Sequence, residues 1–221
     1  MTRTKRRRVV SLTQTDKKVA SREEKTQRMR QLEKDVDSYK DIYVFRYDNS
    51  RNELFKQLRA QLQDTSKIVI GGNKIISLTF GRDKATEYAE NLHLLADKLK
   101  GQVGLLFTNE PAGEFREFFR TFGVPDFARS GNIATERVVL PKGPQAELFQ
   151  PSQQATLTKL GLPVELKKGV IIVTSDFVVC NEGDVLTPER AKILEFMGIK
   201  MAEFRIHLLA CWSRGGAFEE L

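Results

Sequence analysis

The sequence predicts an α/β protein: a layered α/β domain, interrupted by a small inserted α/β domain and preceded by a basic N-terminal arm. Three observations predict it. Short β-branched or aromatic runs alternate with segments of helical periodicity over residues 19–125, and again over 185–221. Between residues 126 and 184 glycine, proline and short segments take over, a span large enough for a small module. Charge is also uneven. Residues 1–30 hold eleven Lys or Arg against three Asp or Glu, whereas the remainder of the 221-residue chain holds 25 against 26. The formal net charge of +7 therefore resides in the arm, residues 1–18, and the start of the first helix.

Each element has its own signal. Residues 13–40 read as a helix, because Met29, Leu32, Val36 and Tyr39 recur at three- and four-residue steps. "DIYVFRYD", Asp41 to Asp48, is rich in aromatic and β-branched residues and reads as a strand. Ser50-Arg51-Asn52-Glu53 fits a capping box that opens a helix with Leu54, Leu58 and Leu62 inward. Asn52, Lys56, Arg59 and Gln63 fall on another face of that helix. Lys67 to Ile70 reads as a strand, followed by Gly71-Gly72 and a short helix through Phe80. Tyr88, Leu92, Leu95 and Leu99 line the next helix, Gly101 to Asn109 a buried strand, and Glu114 to Phe122 a phenylalanine-rich helix. Phe115, Phe118, Phe119 and Phe122 have the spacing of a helix packed on a sheet rather than of a base-stacking platform.

In the module, "RVVL", "VELKKGVIIVTS" and "FVVC" read as short strands, with one helix over residues 153–160. Thr187-Pro188 is a helix start, threonine as cap and proline in the first turn, and Gly198 ends that helix. Met201 to Trp212 alternates as a closing strand, with Phe204, Ile206 and Leu208 on one side and Glu203, Arg205 and His207 on the other. This last helix and strand are expected to return to the first domain.

Composition and motifs exclude several functions. Cys180 and Cys211 are far apart, no Cys/His cluster exists, and buried thiols in a reducing compartment are expected, without zinc. No apolar run reaches the ~18 residues of a membrane span, and the N-terminus lacks a signal-peptide core. A soluble intracellular protein without a membrane partner is therefore expected. The turn "IGGNKII" has neither the Walker spacing nor the dinucleotide fingerprint. His93 sits among leucines and His207 alternates outward from a strand, so no catalytic set emerges and no cofactor is implied. The remaining signal is cationic. Arg51, Lys56, Arg59, Lys74 and Arg82 could share one rim if the two βα units are neighbours, which with the basic arm favours a phosphate-binding surface for folded RNA.

Five motifs carry a family resemblance: "GGNKIISLTFGR", "GQVGLLFTNEP", "FARSGNIA", "LGLPVELKKGVI" and "CNEGDVLTPERAKILEFMGIKMAEF". Together with "RRRVVSLTQTDKK" in the arm, they resemble the ribosome-assembly factors called mRNA turnover protein four. That family is paralogous to the stalk-base protein P-zero and shares a superfamily with bacterial ribosomal protein L-ten. The resemblance runs along almost the whole chain. It implies an rRNA-binding α/β domain split by an insert, and a trans-acting role without enzymatic activity. It further implies binding to stalk-base rRNA, at the GTPase-associated centre of the pre-60S large subunit, beside other assembly factors and ribosomal proteins. Location in the nucleolus and nucleus is implied, with export to the cytoplasm on precursor particles. The family's contact region falls here on Arg51, Lys56, Arg59, Gly72, Asn73, Lys74 and Arg82, and the basic arm adds Arg3, Lys5, Arg6, Arg7, Arg8, Lys17 and Lys18. Where relatives commonly carry Gly-Lys-Asn-Lys, this chain has Gly72 in place of the first lysine. The alternatives are P-zero itself, which continues into stalk-binding helices where this chain stops at "SRGGAFEEL", and an RNA-processing enzyme, for which no acid/base or metal cluster is visible.

Overall fold

The computed structural model describes residues 22–221. Helix α1 (Arg22–Ser38) buries Leu32 and Val36, while Met29 and Tyr39, which continue the stripe, are half-buried. Strand β1 (Asp41–Asp48), helix α2 (Asn52–Leu62), strand β2 (Ser66–Ile70), helices α3 (Asn73–Phe80) and α4 (Leu92–Asp97), strand β3 (Val103–Thr108) and helix α5 (Ala112–Thr121) follow. Strand β4 (Gly123–Asp126) leads out of this part of the fold. The insert carries β5 (Val138–Leu140), β6 (Gly143–Pro144), α6 (Gln154–Lys159), β7 (Val164–Lys167), β8 (Val170–Val173), β9 (Phe177–Cys180) and α7 (Pro188–Phe196). Strands β10 (Ala202–Ser213) and β11 (Ala217–Glu220) close the chain.

The main sheet has the order β11-β10-β1-β3-β2, with β4 also paired to β10, and its pairings are antiparallel. Helices cover both faces, so the layers run α/β/α. On one face α1, α3 and α4 pack Leu32, Val36, Ile76, Phe80, Leu92 and Leu95 on the sheet's Ile42, Val44, Leu105, Phe107 and Trp212. On the other, α2 and α5 pack Phe55, Leu58, Leu62, Phe115 and Phe119 on Tyr43, Phe45, Leu106 and Phe204. The period-two alternation of a strand produces this division directly: Ile42 and Val44 point one way, Tyr43 and Phe45 the other. A sheet covered on both sides needs strands apolar at every position, and all six residues of β3 are buried.

Strand β10 departs from simple alternation. Val44 pairs with Ala210 and Phe45 with Leu208, so Leu209 is an extra residue. The bulge reverses the facing of the residues beyond it. Phe204 and Ile206 therefore join the α2/α5 face, whereas Ala210 and Trp212 join the α1/α3/α4 face.

The insert folds around a separate core that includes Val138, Leu140, Phe149, Leu157, Ile171, Val173 and Val179. Its strands form one pair, β5-β9, and one trio, β6-β8-β7. The sequence assigns helix α7 to the first domain, outside an insert spanning residues 126–184. The structure corrects this: Ile193 and Leu194 of α7 lie in the insert's core, which extends to Met201. Only β10 and β11 return to the main sheet. Thr187 caps α7 as its sequence indicates, its hydroxyl accepting from the Arg190 amide at 3.3 Å, with Pro188 in the first turn. The capping box expected for α2 is not formed. Its cap is Arg51, in extended backbone, and no side chain caps the helix.

Candidate nucleic-acid interface

The turn between β2 and α3 is built by two left-handed residues, Gly71 at φ +87° and Gly72 at φ +76°. L side chains reach this region with strain, which explains the glycine pair. A Cβ on Gly71 would meet nothing within 4 Å. The turn thus presents bare backbone to open space at the start of α3, whose first-turn N–H groups lack side-chain caps. Lys74, in that first turn, is exposed and has no carboxylate within ion-pair distance among the described residues. Asn73 is less available than its sequence position suggests. Its amide nitrogen donates to the Gly101 carbonyl at 3.0 Å, tying the turn to the segment before β3.

Lys56 and Arg59 stand on the exposed side of α2, also without carboxylate partners among the described residues. They line a groove with Ser50, Asn52 and Ile70. Ile70 also lines the groove that holds Gly71 and Gly72, so the two concavities share the end of β2 as a wall.

The single rim expected for five cations is only partly formed. Arg51 is engaged at the start of the insert: its Nε donates to Asp126 Oδ2 at 2.6 Å, and its guanidinium lies 5.7 Å from the Phe127 ring centroid. Arg82 follows Gly81 at the far end of α3, so the length of an eight-residue helix, about 12 Å, separates it from Lys74. Arg3, Lys5, Arg6, Arg7, Arg8, Lys17 and Lys18 lie outside the described residues. Sequence reasoning passed over Arg28, which reaches the groove beside Gly71 from α1. Its place one helical turn before Leu32, beside Met29 of the apolar stripe, was the available signal.

Several other titratable groups are engaged within the fold. His207 Nε2 is 2.9 Å from Asp48 Oδ2. Glu87 is held below the usual carboxylate range, chiefly by its hydrogen bond to His93 and against a smaller effect of burial. Cys180 and Cys211 are buried free thiols, and burial pushes both upward. Of the four phenylalanines, Phe115 and Phe119 are buried and Phe122 is half-buried, while Phe118 remains 37% exposed. Among the described residues no helix is long and apolar enough to cross a membrane.

Comparison with known families matches this architecture part by part. Residues 20–123 match the family described as Ribosomal protein L10, and residues 128–199 match the insertion domain in the 60S ribosomal protein of the same L10 group. An L10-type α/β domain with an inserted domain is therefore the class that the fold defines. The ribosome assembly factor mrt4 of Dictyostelium discoideum is 35% identical over 96% of this chain and 94% of its own length. The ribosome assembly factor MRT4 of Saccharomyces cerevisiae is 28% identical over 100% and 97%. The large ribosomal subunit protein uL10 of Methanothermobacter thermautotrophicus is 31% identical over 71% of this chain but 46% of its own length. The chain belongs to the mrt4 family of ribosome assembly factors.

Proposed function

We propose that this chain is a non-enzymatic, trans-acting ribosome biogenesis factor. It binds the stalk-base rRNA of the pre-60S particle and holds that site until P-zero replaces it. The observation that carries the reading is the pattern of similarity. Relatives named as assembly factors align over 96% and 100% of this chain, whereas the ribosomal protein uL10 aligns over 71% of it. The grooves beside β2 supply the physical basis. Lys56, Arg59 and Lys74 are exposed cations not claimed by the protein's own carboxylates among the described residues, and the glycine turn lets backbone N–H groups approach a phosphate. Assembly factors and ribosomal proteins of the precursor particle are its expected neighbours, in the nucleolus and nucleus.

The decisive experiment combines affinity with exchange. Lys74→Glu with Arg59→Glu should weaken binding to a stalk-base rRNA fragment and leave the thermal midpoint nearly unchanged. The log–log salt slope should fall by about 1.5, as for two lost phosphate contacts. P-zero added to particles carrying the wild-type chain should displace it, more readily at higher salt, because both proteins compete for one site. Particles holding both proteins stoichiometrically at one stalk base would overturn the placeholder role.

A further inference from the structure

The junction between the main domain and the insert contains a second cationic cleft. Arg51 stands on one wall, Arg129 and Ser130 on the segment leading into the insert, and Lys192 and Glu195 on α7. Two of these charges are already answered. Lys192 Nζ is 3.0 Å from Glu195 Oε2, and Arg51 Nε is 2.6 Å from Asp126 Oδ2. Arg129 is exposed and has no carboxylate partner among the described residues. Lys200 Nζ lies 5.7 Å from the Phe127 ring centroid at the same junction, at the same distance as Arg51 Cζ. The bond from Arg51 to Asp126 uses Nε, and a guanidinium carries four further N–H donors on its terminal nitrogens.

The cleft continues the grooves already described. Ser50 and Asn52 line the groove of Lys56 and Arg59, and Arg51, between them in sequence, lines the cleft. The uncapped N-terminus of α2 therefore stands at the boundary of the two, its amide groups adding positive potential on both sides. From Gly71 through Ile70, Arg59, Lys56 and Arg51 to Arg129, one cationic path crosses from the main sheet to the insert.

We propose that the RNA backbone follows this path into the junction, where Arg129 and the terminal nitrogens of Arg51 bind phosphate. The inference rests on the RNA-binding reading above and extends it: the insert contributes contacts of its own. A polymer with regularly spaced anions suits a path of separated cations better than an isolated acidic segment does, because each groove then takes one part of the same chain. RNA held by both walls also fixes the insert relative to the sheet.

The test uses the full chain and a stalk-base rRNA fragment, measuring affinity across a salt series. Arg129→Glu should weaken binding about three- to tenfold at moderate salt and lower the log–log slope by about 0.7–0.9, as for one phosphate. Arg129→Ala should give a smaller loss in the same direction, and the thermal midpoint of both variants should match the wild type. Lys74→Glu with Arg59→Glu serves as the reference. If that variant loses affinity while Arg129→Glu keeps both affinity and slope, the junction is not on the RNA path; the cleft is then open to an acidic protein segment, and this inference is overturned while RNA binding stands. If neither variant changes affinity, the RNA-binding reading itself falls.

Discussion

At Gly81, φ is +92° and a Cβ would stand 2.3 Å from Glu87 Cα, so both the backbone and the available space demand glycine. Gly71 has a similar φ of +87°, but nothing lies within 4 Å of its would-be Cβ. The two positions separate conformational strain from collision. Gly71→Ala should cost about 1 kcal/mol, near the low end for a residue held at positive φ. Gly81→Ala should cost at least about 2 kcal/mol more, because Glu87 backbone would have to move. Urea denaturation of the two variants measures the difference, and equal costs would refute the packing argument. The same scale shows where sequence reading stops. Glycine pairs and cations are visible as residue types. Which carboxylate claims a cation is not, since Asp126 meets Arg51 from 75 residues away. Lys74 and Arg82 flank a recognisable helix, yet its length sets them at opposite ends.

Helix α7 illustrates what an element discloses before folding and what it withholds. Its start was legible because a Thr-Pro pair acts locally: the hydroxyl accepts the Arg190 amide, and proline occupies a position where no intrahelical N–H bond is needed. Thr187→Ala should therefore cost about 1 kcal/mol. The loss should appear as faster hydrogen exchange in α7 and in the insert strands it packs on, leaving β1 and β3 protected. Uniform loss of protection would mean that the cap stabilises the whole chain rather than the insert. Helix α2 shows the converse. Ser50 resembles a cap in sequence, but the chain enters the helix one residue later, at Arg51, in extended backbone. Strand β10 was legible as an alternating strand, yet its bulge at Leu209 depends on register with β1 and reverses the face of every residue after it. Local signals were sufficient for the existence of these elements, whereas cap position and facing were settled by tertiary pairing.

Among the described residues the main domain has a core on each face of its sheet and the insert has a core of its own, and the assignment of α7 decides where the insert ends. Composition drew the boundary at residue 184, because the helix and strand beyond it resemble those of the first domain. Packing assigns Ile193 and Leu194 to the insert instead. The chain leaves the main sheet at β4 and re-enters at β10, and these strands pair directly, with Asp126 opposite Ala202. A short linker can therefore replace residues 128–199 as the turn of a hairpin, since antiparallel partners stand about 5 Å apart. We predict that this deletion leaves a cooperatively folding α/β domain with both faces of its sheet still covered. Its affinity for stalk-base rRNA should fall, through loss of Arg129, but persist through Lys56, Arg59 and Lys74. Deleting residues 126–184 tests the compositional boundary. It strips α7 of its core, exposing Ile193 and Leu194, and removes Asp126, the partner of Arg51. That variant should aggregate or unfold at lower temperature than the first. Circular dichroism and thermal melts of the two deletions decide the matter, because a more stable 126–184 deletion would return α7 to the main domain.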